Sequence, residues 1–299
     1  MKIRKLGDWK PRVLVFQGSP RDPETCSGME SKTHKVVDYI IKKWSPFINF
    51  QVIDLAVNQS KRPIIQPCKG CVSTSGGFHC HFSCSCYFKG DSEKPDLLKE
   101  EGVYQLLKEC DAFIIVSPIH WHALTSQIKL LFDRLVCVNQ TLTIDDAKNL
   151  MGADNIKNAE ITGKFGRSGD YNHLFRNHLE GKVAAFYVHG DDGANDYAGT
   201  ELPPSYADVL DDGFGHNPKS VVMPYVMQLK YSGIFVPDEL IEAFYVNRGI
   251  DYNTANKTFK KTKEFFERAD NLLENLLTYL EEKVYTCLLY TSPSPRDRG

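Results

Sequence analysis

The sequence predicts an α/β protein built on a doubly wound parallel sheet of five strands in the order 2-1-3-4-5. Three observations predict it. Apolar runs of strand length alternate with longer segments whose apolar residues recur at helical spacing. The run Ala112-Phe113-Ile114-Ile115-Val116 is apolar without interruption, as in a parallel strand covered on both faces. The run Val13-Leu14-Val15-Phe16 leads through a polar loop into a helix, the order that builds an anion site in such sheets.

After the first strand, a helix is expected from about Ser31 to Trp44, with Val36, Val37, Ile40, Ile41 and Trp44 as its apolar stripe. Phe50–Leu55 is the second strand. Leu97–Cys110 is expected as one helix carrying Leu98, Val103, Leu106 and Leu107, and Ala112–Val116 is the third strand. Leu124–Leu135 is helical, with Leu124, Ile128, Leu131 and Leu135 aligned. Val183–Val188 is the fourth strand. A helix at Met223–Leu229 leads to a fifth strand at Gly233–Val236. The last helix is expected over about Asn256–Glu282, with Phe266, Ala269, Leu273, Leu276 and Leu280 inward. This alternation suits a flavodoxin-like arrangement, in which ligands sit at the carboxyl ends of the strands near the switch point. Asn58–Pro95, Val138–Glu180 and Asp191–Ser220 are longer than ordinary connections, and the Gly/Asp/Asn-rich run 190–199 is loop by composition.

Composition fits a soluble globular chain of 299 residues, 42% hydrophobic and 25% charged. A formal net charge of -2 gives no footprint for nucleic acid. No apolar run reaches the length of a membrane span, and the basic N-terminus lacks a signal-peptide core. The expected compartment is cytoplasmic and reducing, where nine cysteines read as thiols or metal ligands before disulfides. The segment Cys287–Gly299 resembles the translation of a transposase sequencing adapter. It is set apart as an artefactual tail. Residues 1–286 are read as a single domain, its core about 11–283, with a cysteine-rich loop at 66–90.

The first loop, Gln17-Gly18-Ser19-Pro20-Arg21, and the helix start Ser31-Lys32-Thr33 form a phosphate cradle. The first N–H groups of a helix lack internal partners and its dipole favours an anion there. Ser19, Ser31 and Thr33 add hydroxyls and Arg21 a planar cation. Taken singly, Ser31 is an N-cap and Gly18-Ser19-Pro20 a turn. Trp121 is then packing, and His122 and His189 are ordinary polar residues.

The loops together resemble the NADPH-dependent FMN reductase branch of flavodoxin-like proteins. Gly18-Ser19-Pro20-Arg21 matches its phosphate loop. Ser117-Pro118-Ile119-His120-Trp121 follows strand three, then Gln127, Lys129, Asp133 and Arg134 on the next helix, and His189-Gly190-Asp191 follows strand four. The resemblance implies a noncovalent FMN. Ser19, Arg21, Ser31, Lys32 and Thr33 would hold its phosphate. Pro118, Ile119, His120 and Trp121 would flank its ring, and His189, Gly190 and Asp191 would close the other side. Asp22, Glu24 and Glu30 depart from the pattern and should point away from a phosphate. Hydride transfer to flavin needs no general acid, so the catalytic residues stay unknown; His120, His122 and His189 are the proton donors at hand.

Cys68, Cys71, Cys80, Cys84 and Cys86 crowd one loop, interleaved with His79 and His81. Such ligands suit zinc, and thiolates alone suit an iron–sulfur cluster. Some relatives hold a cluster in a loop after strand two, but with a more compact spacing. Reduced or redox-active thiols are the other reading, and both stay open. Cys26, Cys110 and Cys137 read as small core residues or incidental thiols.

The function expected is an FMN-dependent NAD(P)H oxidoreductase that passes electrons to a small-molecule electron acceptor such as a quinone, a nitro compound or flavin. The alternatives are a flavodoxin-like electron carrier or iron–sulfur flavoprotein, and a flavin-free protein that binds a metal or a partner. The long loops 138–180 and 191–220 can shape a substrate pocket or a homodimer contact, with the pocket preferred.

Overall fold

A computed structural model describes residues 9–21, 31–56, 63–71, 80–121, 123–151, 174–191, 218–246 and 263–291. The central sheet consists of β1 (Arg12–Gln17), β2 (Asn49–Asp54), β3 (Ala112–His120), β4 (Val183–Asp191) and β5 (Ile241–Val246). All are parallel, in the order β2-β1-β3-β4-β5, which is the order the sequence predicts.

Side chains of a strand alternate between faces, and here both faces are apolar. Leu14, Phe16, Phe113, Ile115, Ala184, Phe186 and Val188 point into one core. It is covered by α2 (Leu97–Glu100), α3 (Val103–Glu109), α4 (Ser126–Arg134) and α6 (Met223–Tyr231); α5 (Ile144–Met151) belongs to a small separate cluster. Val13, Val15, Ile114, Val116, Ala185 and Tyr187 point into the other core, under α1 (Lys32–Trp44) and α7 (Lys263–Thr291). Asp270 ties those two helices together. It accepts from Trp44 Nε1 at 2.9 Å and from the Tyr39 hydroxyl at 2.8 Å, and pairs with Lys43 at 2.6 Å. No described helix is long and apolar enough to cross a membrane.

Several elements differ from expectation. The segment 97–110 is two helices, because Gly102 adopts a left-handed φ of 63° between them. Strand β3 runs four residues past Val116, to His120, and folds back as a tight hairpin pairing Ile119 with Leu124 and His120 with Ala123. The fifth strand is Ile241–Val246, not 233–236. Phe235 does bridge β4 beside Val183, but Pro237 and a 3-10 turn at Asp238–Leu240 carry the chain out before it returns. In α7 the buried aromatic is Phe265; Phe266 is only partly buried. Residues 256–262, where α7 was expected to begin, lie outside the described residues. The helix itself continues to Thr291, into the segment read as a tail.

Candidate functional site

The carboxyl ends of β1, β3 and β4 meet at one mouth, and the residues of the first loop are fixed there by packing. Gly18 N–H donates to Val116 O at 2.8 Å, and Thr125, the N-cap of α4, donates its hydroxyl to Gly18 O at 2.6 Å. A Cβ at Gly18 would stand 2.7 Å from Ile128 Cγ1 and 3.2 Å from Ser117 Cβ. Glycine is therefore required here for close approach of loop and helix. Ser19 is buried, and its backbone is gripped by the buried Gln17. Ser19 N–H donates to Gln17 Oε1 at 2.5 Å and Gln17 Nε2 donates to Ser19 O at 3.3 Å. The Ser19 hydroxyl accepts from the Arg21 N–H at 3.3 Å.

Ser31 is the N-cap of α1, with Oγ accepting from Thr33 N–H at 3.1 Å. The first turn contains no acidic residue, while Lys32 is 8% exposed. Thr33 is fully buried, its hydroxyl 3.0 Å from His189 Nε2. His189, also buried, packs against Phe265 with ring centroids 5.0 Å apart. The helix start is thus bonded to the end of β4.

The β3 hairpin supplies the second wall. Pro118 lies beside His189 in the β3–β4 register, Ile119 is half-buried and His120 exposed. Trp121 holds a φ of 48° at the hairpin tip and is 95% exposed. Partial burial, then the charge of Arg21, lowers the His120 pKa. Residues of the first and second loops therefore feel each other electrostatically. Gly190 is buried and Asp191 ends β4, in register with Val246. Two cavities lie elsewhere among the described residues. One of about 190 Å³ is lined by Arg12, Asn49 and Cys110, and one of about 450 Å³ by Phe82, Lys99 and Thr143.

One part of this site was not anticipated. Gln17 Nε2 donates to Asp54 Oδ1 at 2.7 Å, and His34 Nε2 lies 2.7 Å from Gln17 Nε2 and 3.2 Å from Asp54 Oδ2. Its proton decides the bond: protonated, Nε2 donates to the carboxylate; bare, it accepts from the amide. Burial raises the Asp54 pKa, but His34, the Ala56 N–H and Gln17 together outweigh it, so the net shift is downward. Gln17 and Asp54 end adjacent strands, a signal that only the register reveals.

His122, His79 and Cys26 lie outside the described residues, as do Asp22, Glu24 and Glu30, whose outward orientation was expected. Among the described residues no three of His, Cys, Asp and Glu are gathered to hold a metal ion. Cys71 Sγ and Cys86 Sγ lie 3.0 Å apart near the surface, Cys80 and Cys84 are buried against each other, and Cys68 accepts from Gly70 N–H at 3.5 Å. Cys110 and Cys137 are core residues, as expected. Asp133 pairs with Lys129 on the surface of α4, whereas Arg134 is fully buried and bidentate on Asp96 at 2.8 and 2.9 Å. That pair fastens the cysteine-bearing segment to α4.

Residues 11–153 match the model of the NADPH-dependent FMN reductase family. No curated protein matches the chain in sequence. Among solved structures, RosB with the bound intermediate 8-demethyl-8-formylriboflavin-5'-phosphate is 14% identical with a TM-score of 0.46, covering 95% of this chain and 89% of RosB. General stress protein 14 of Treponema denticola in complex with FMN is 13% identical with a TM-score of 0.41, covering 91% of this chain and 99% of its own. The NAD(P)H:quinone oxidoreductase of Methanothermobacter marburgensis is 12% identical with a TM-score of 0.42, covering 88% and 98%.

Proposed function

We propose, from the family match over residues 11–153, that this chain is an FMN-dependent oxidoreductase that takes electrons from NAD(P)H and gives them to a small acceptor. The acceptor class is a quinone, a nitro compound or free flavin. We read residues 1–286 as one FMN-binding domain.

The observation that carries the reading is the convergence of the helix start at Ser31–Thr33, the hairpin Pro118–Trp121 and the β4 end at His189–Asp191 on one mouth. The residues fit the group. A buried Lys32 stands in the first turn of α1, at the end of the helix whose dipole favours an anion. Arg21, Ser19, Ser31 and Thr33 would join Lys32 around a phosphate. Trp121 and Pro118 would give the isoalloxazine an apolar wall, with Ile119 and His120 beside it, and Gly190 and Asp191 would close the far side. Bound there, FMN supplies two-electron chemistry, accepting a hydride and returning electrons to the acceptor. His189, bonded to Thr33, keeps the phosphate turn docked on the sheet. His120, with its pKa lowered, is neutral at pH 7 and can donate a hydrogen bond to an acceptor at the mouth.

An absorption spectrum of purified protein, with FMN added and then NADPH or NADH without oxygen, tests the proposal. Retained flavin absorbance that bleaches on adding the nicotinamide is expected. Protein that neither carries nor retains FMN would sink the reading. Retained FMN that no nicotinamide bleaches would leave an electron carrier.

A further inference from the structure

The cysteine-bearing segment has no role in the flavin reading, yet it is built with care. Two stretches of chain, 66–71 and 84–87, are held side by side by four separate ties. Arg134 donates to Gln66 O at 2.9 Å and lays its guanidinium 4.5 Å from the centroid of the Tyr87 ring. The Tyr87 hydroxyl donates to Pro67 O at 2.7 Å. Lys69 Nζ donates to Cys86 O at 3.3 Å and sits 4.7 Å from the centroid of the same ring. Arg134 is itself locked by Asp96 inside the core. The ties close on one point, where Cys71 Sγ and Cys86 Sγ stand 3.0 Å apart. Cys71 is exposed and Cys86 half-buried, so a reagent can reach them, whereas Cys80 and Cys84 are buried.

We propose that Cys71 and Cys86 are a reversible dithiol–disulfide site, oxidised by a low-molecular-weight disulfide of the glutathione class. An S–S bond is about 2.05 Å long, so forming it moves the sulfurs by roughly 1 Å. The ties already hold the two strands of chain together, so closure requires little further ordering.

The steps balance. The Cys86 thiolate attacks one sulfur of the small disulfide, forming a mixed disulfide and expelling one small thiolate. The Cys71 thiolate then attacks the Cys86 sulfur, the second small thiolate leaves, and the Cys71–Cys86 bond remains. Two electrons pass from the protein pair to the small disulfide. The two protons of the protein thiols end on the two small thiols. Cys86 is placed to act first. Burial and the neighbouring Cys84 raise its pKa, while the hydrogen bond from Cys71 and the charge of Lys69 oppose that rise, which for Cys71 nothing but Lys69 does. Burial, then the neighbouring Cys86, pushes the Cys71 thiol up to about 11.

The site does not depend on flavin, and its test needs no turnover. Reduced full-length protein is incubated with oxidised glutathione, quenched in acid, alkylated and mapped by mass spectrometry after proteolysis. A cross-linked peptide joining Cys71 to Cys86, lost on adding dithiothreitol, is expected. Both cysteines recovered as alkylated thiols, or a cross-link of either to Cys68 or Cys84 in its place, would overturn the proposal. Cys71→Ser should convert the cross-link into a persistent glutathione adduct on Cys86. Rapid formation of the same adduct on Cys71 in Cys86→Ser, with none on Cys86 in Cys71→Ser, would reverse the order of attack and overturn that part.

Discussion

Arg21 and His120 come from different loops, and their interaction is the most direct physical readout of whether those loops share a mouth. Burial, then the Arg21 charge, lowers the His120 pKa. The folded state therefore binds fewer protons than the unfolded chain just below the ordinary histidine value of about 6.5. This shift subtracts from stability as pH falls through that value, and contributes nothing above it. The proton spectrum of His120 should titrate below about 6.5, and Arg21→Ala should move it upward. A His120 pKa that does not respond to Arg21→Ala would mean that the two loops are apart in solution. Asp54 has the opposite sign. Its lowered carboxyl pKa gives stability above the unfolded value of about 3.9, which is lost as pH falls through the folded one.

At the scale of elements, the loop after β1 is fixed by packing on α4. A methyl group at Gly18 meets Ile128, which is fully buried. Two effects compete in Gly18→Ala. Lower entropy of the unfolded chain stabilises by about 0.4–1 kcal/mol, while overpacking costs about 1–3 kcal/mol. The second is larger, so the variant should melt lower than the parent, and the loss should shrink in an Ile128→Ala background. An equal cost in both backgrounds, measured by urea unfolding, would remove the contact as the cause. The sequence shows Gly18 as a turn residue because composition reports local chemistry, whereas the approach of α4 is a tertiary fact. The same limit explains the ends of the strands. Pro118 looks like the end of β3, yet β1 stops at Gln17, opposite Val116, so the edge that Pro118 turns toward β1 has no strand to bond. The missing N–H costs the ladder nothing there, and the strand continues along β4. Pro237 misleads in the other direction. The apolar run before it makes one bridge, and the strand that completes the sheet lies after it. The strands at 12–17, 112–120 and 183–191 are legible because each is apolar on both faces, and the order follows from them; the fifth strand was expected one segment too early. The Gln17–His34–Asp54 network is not legible, because its members come from three elements that only the parallel register aligns.

For the whole molecule, the proposed phosphate cradle has a thermodynamic consequence. A ligand that binds only the folded chain stabilises it by about 2.7 kcal/mol at one hundred times its dissociation constant. In a chain of 299 residues that corresponds to a rise in Tm of roughly 4 °C. FMN and riboflavin share the ring and differ in the phosphate, so comparing them isolates the cradle. FMN should raise the Tm of the parent by that amount, and riboflavin at the same concentration by much less. Arg21 ends the described part of its loop and is half-buried, so Arg21→Ala is to be compared with its own unliganded Tm. It should bring the FMN shift close to the riboflavin shift, because a charge-assisted bond to phosphate is worth about 1.5–3 kcal/mol. Equal shifts for FMN and riboflavin in the parent would leave the hairpin at Trp121 as the binding surface and remove the helix start from it. A lower unliganded Tm in Arg21→Ala, with the FMN increment intact, would assign Arg21 to the fold and leave Lys32 and the α1 N-terminus as the phosphate's partners.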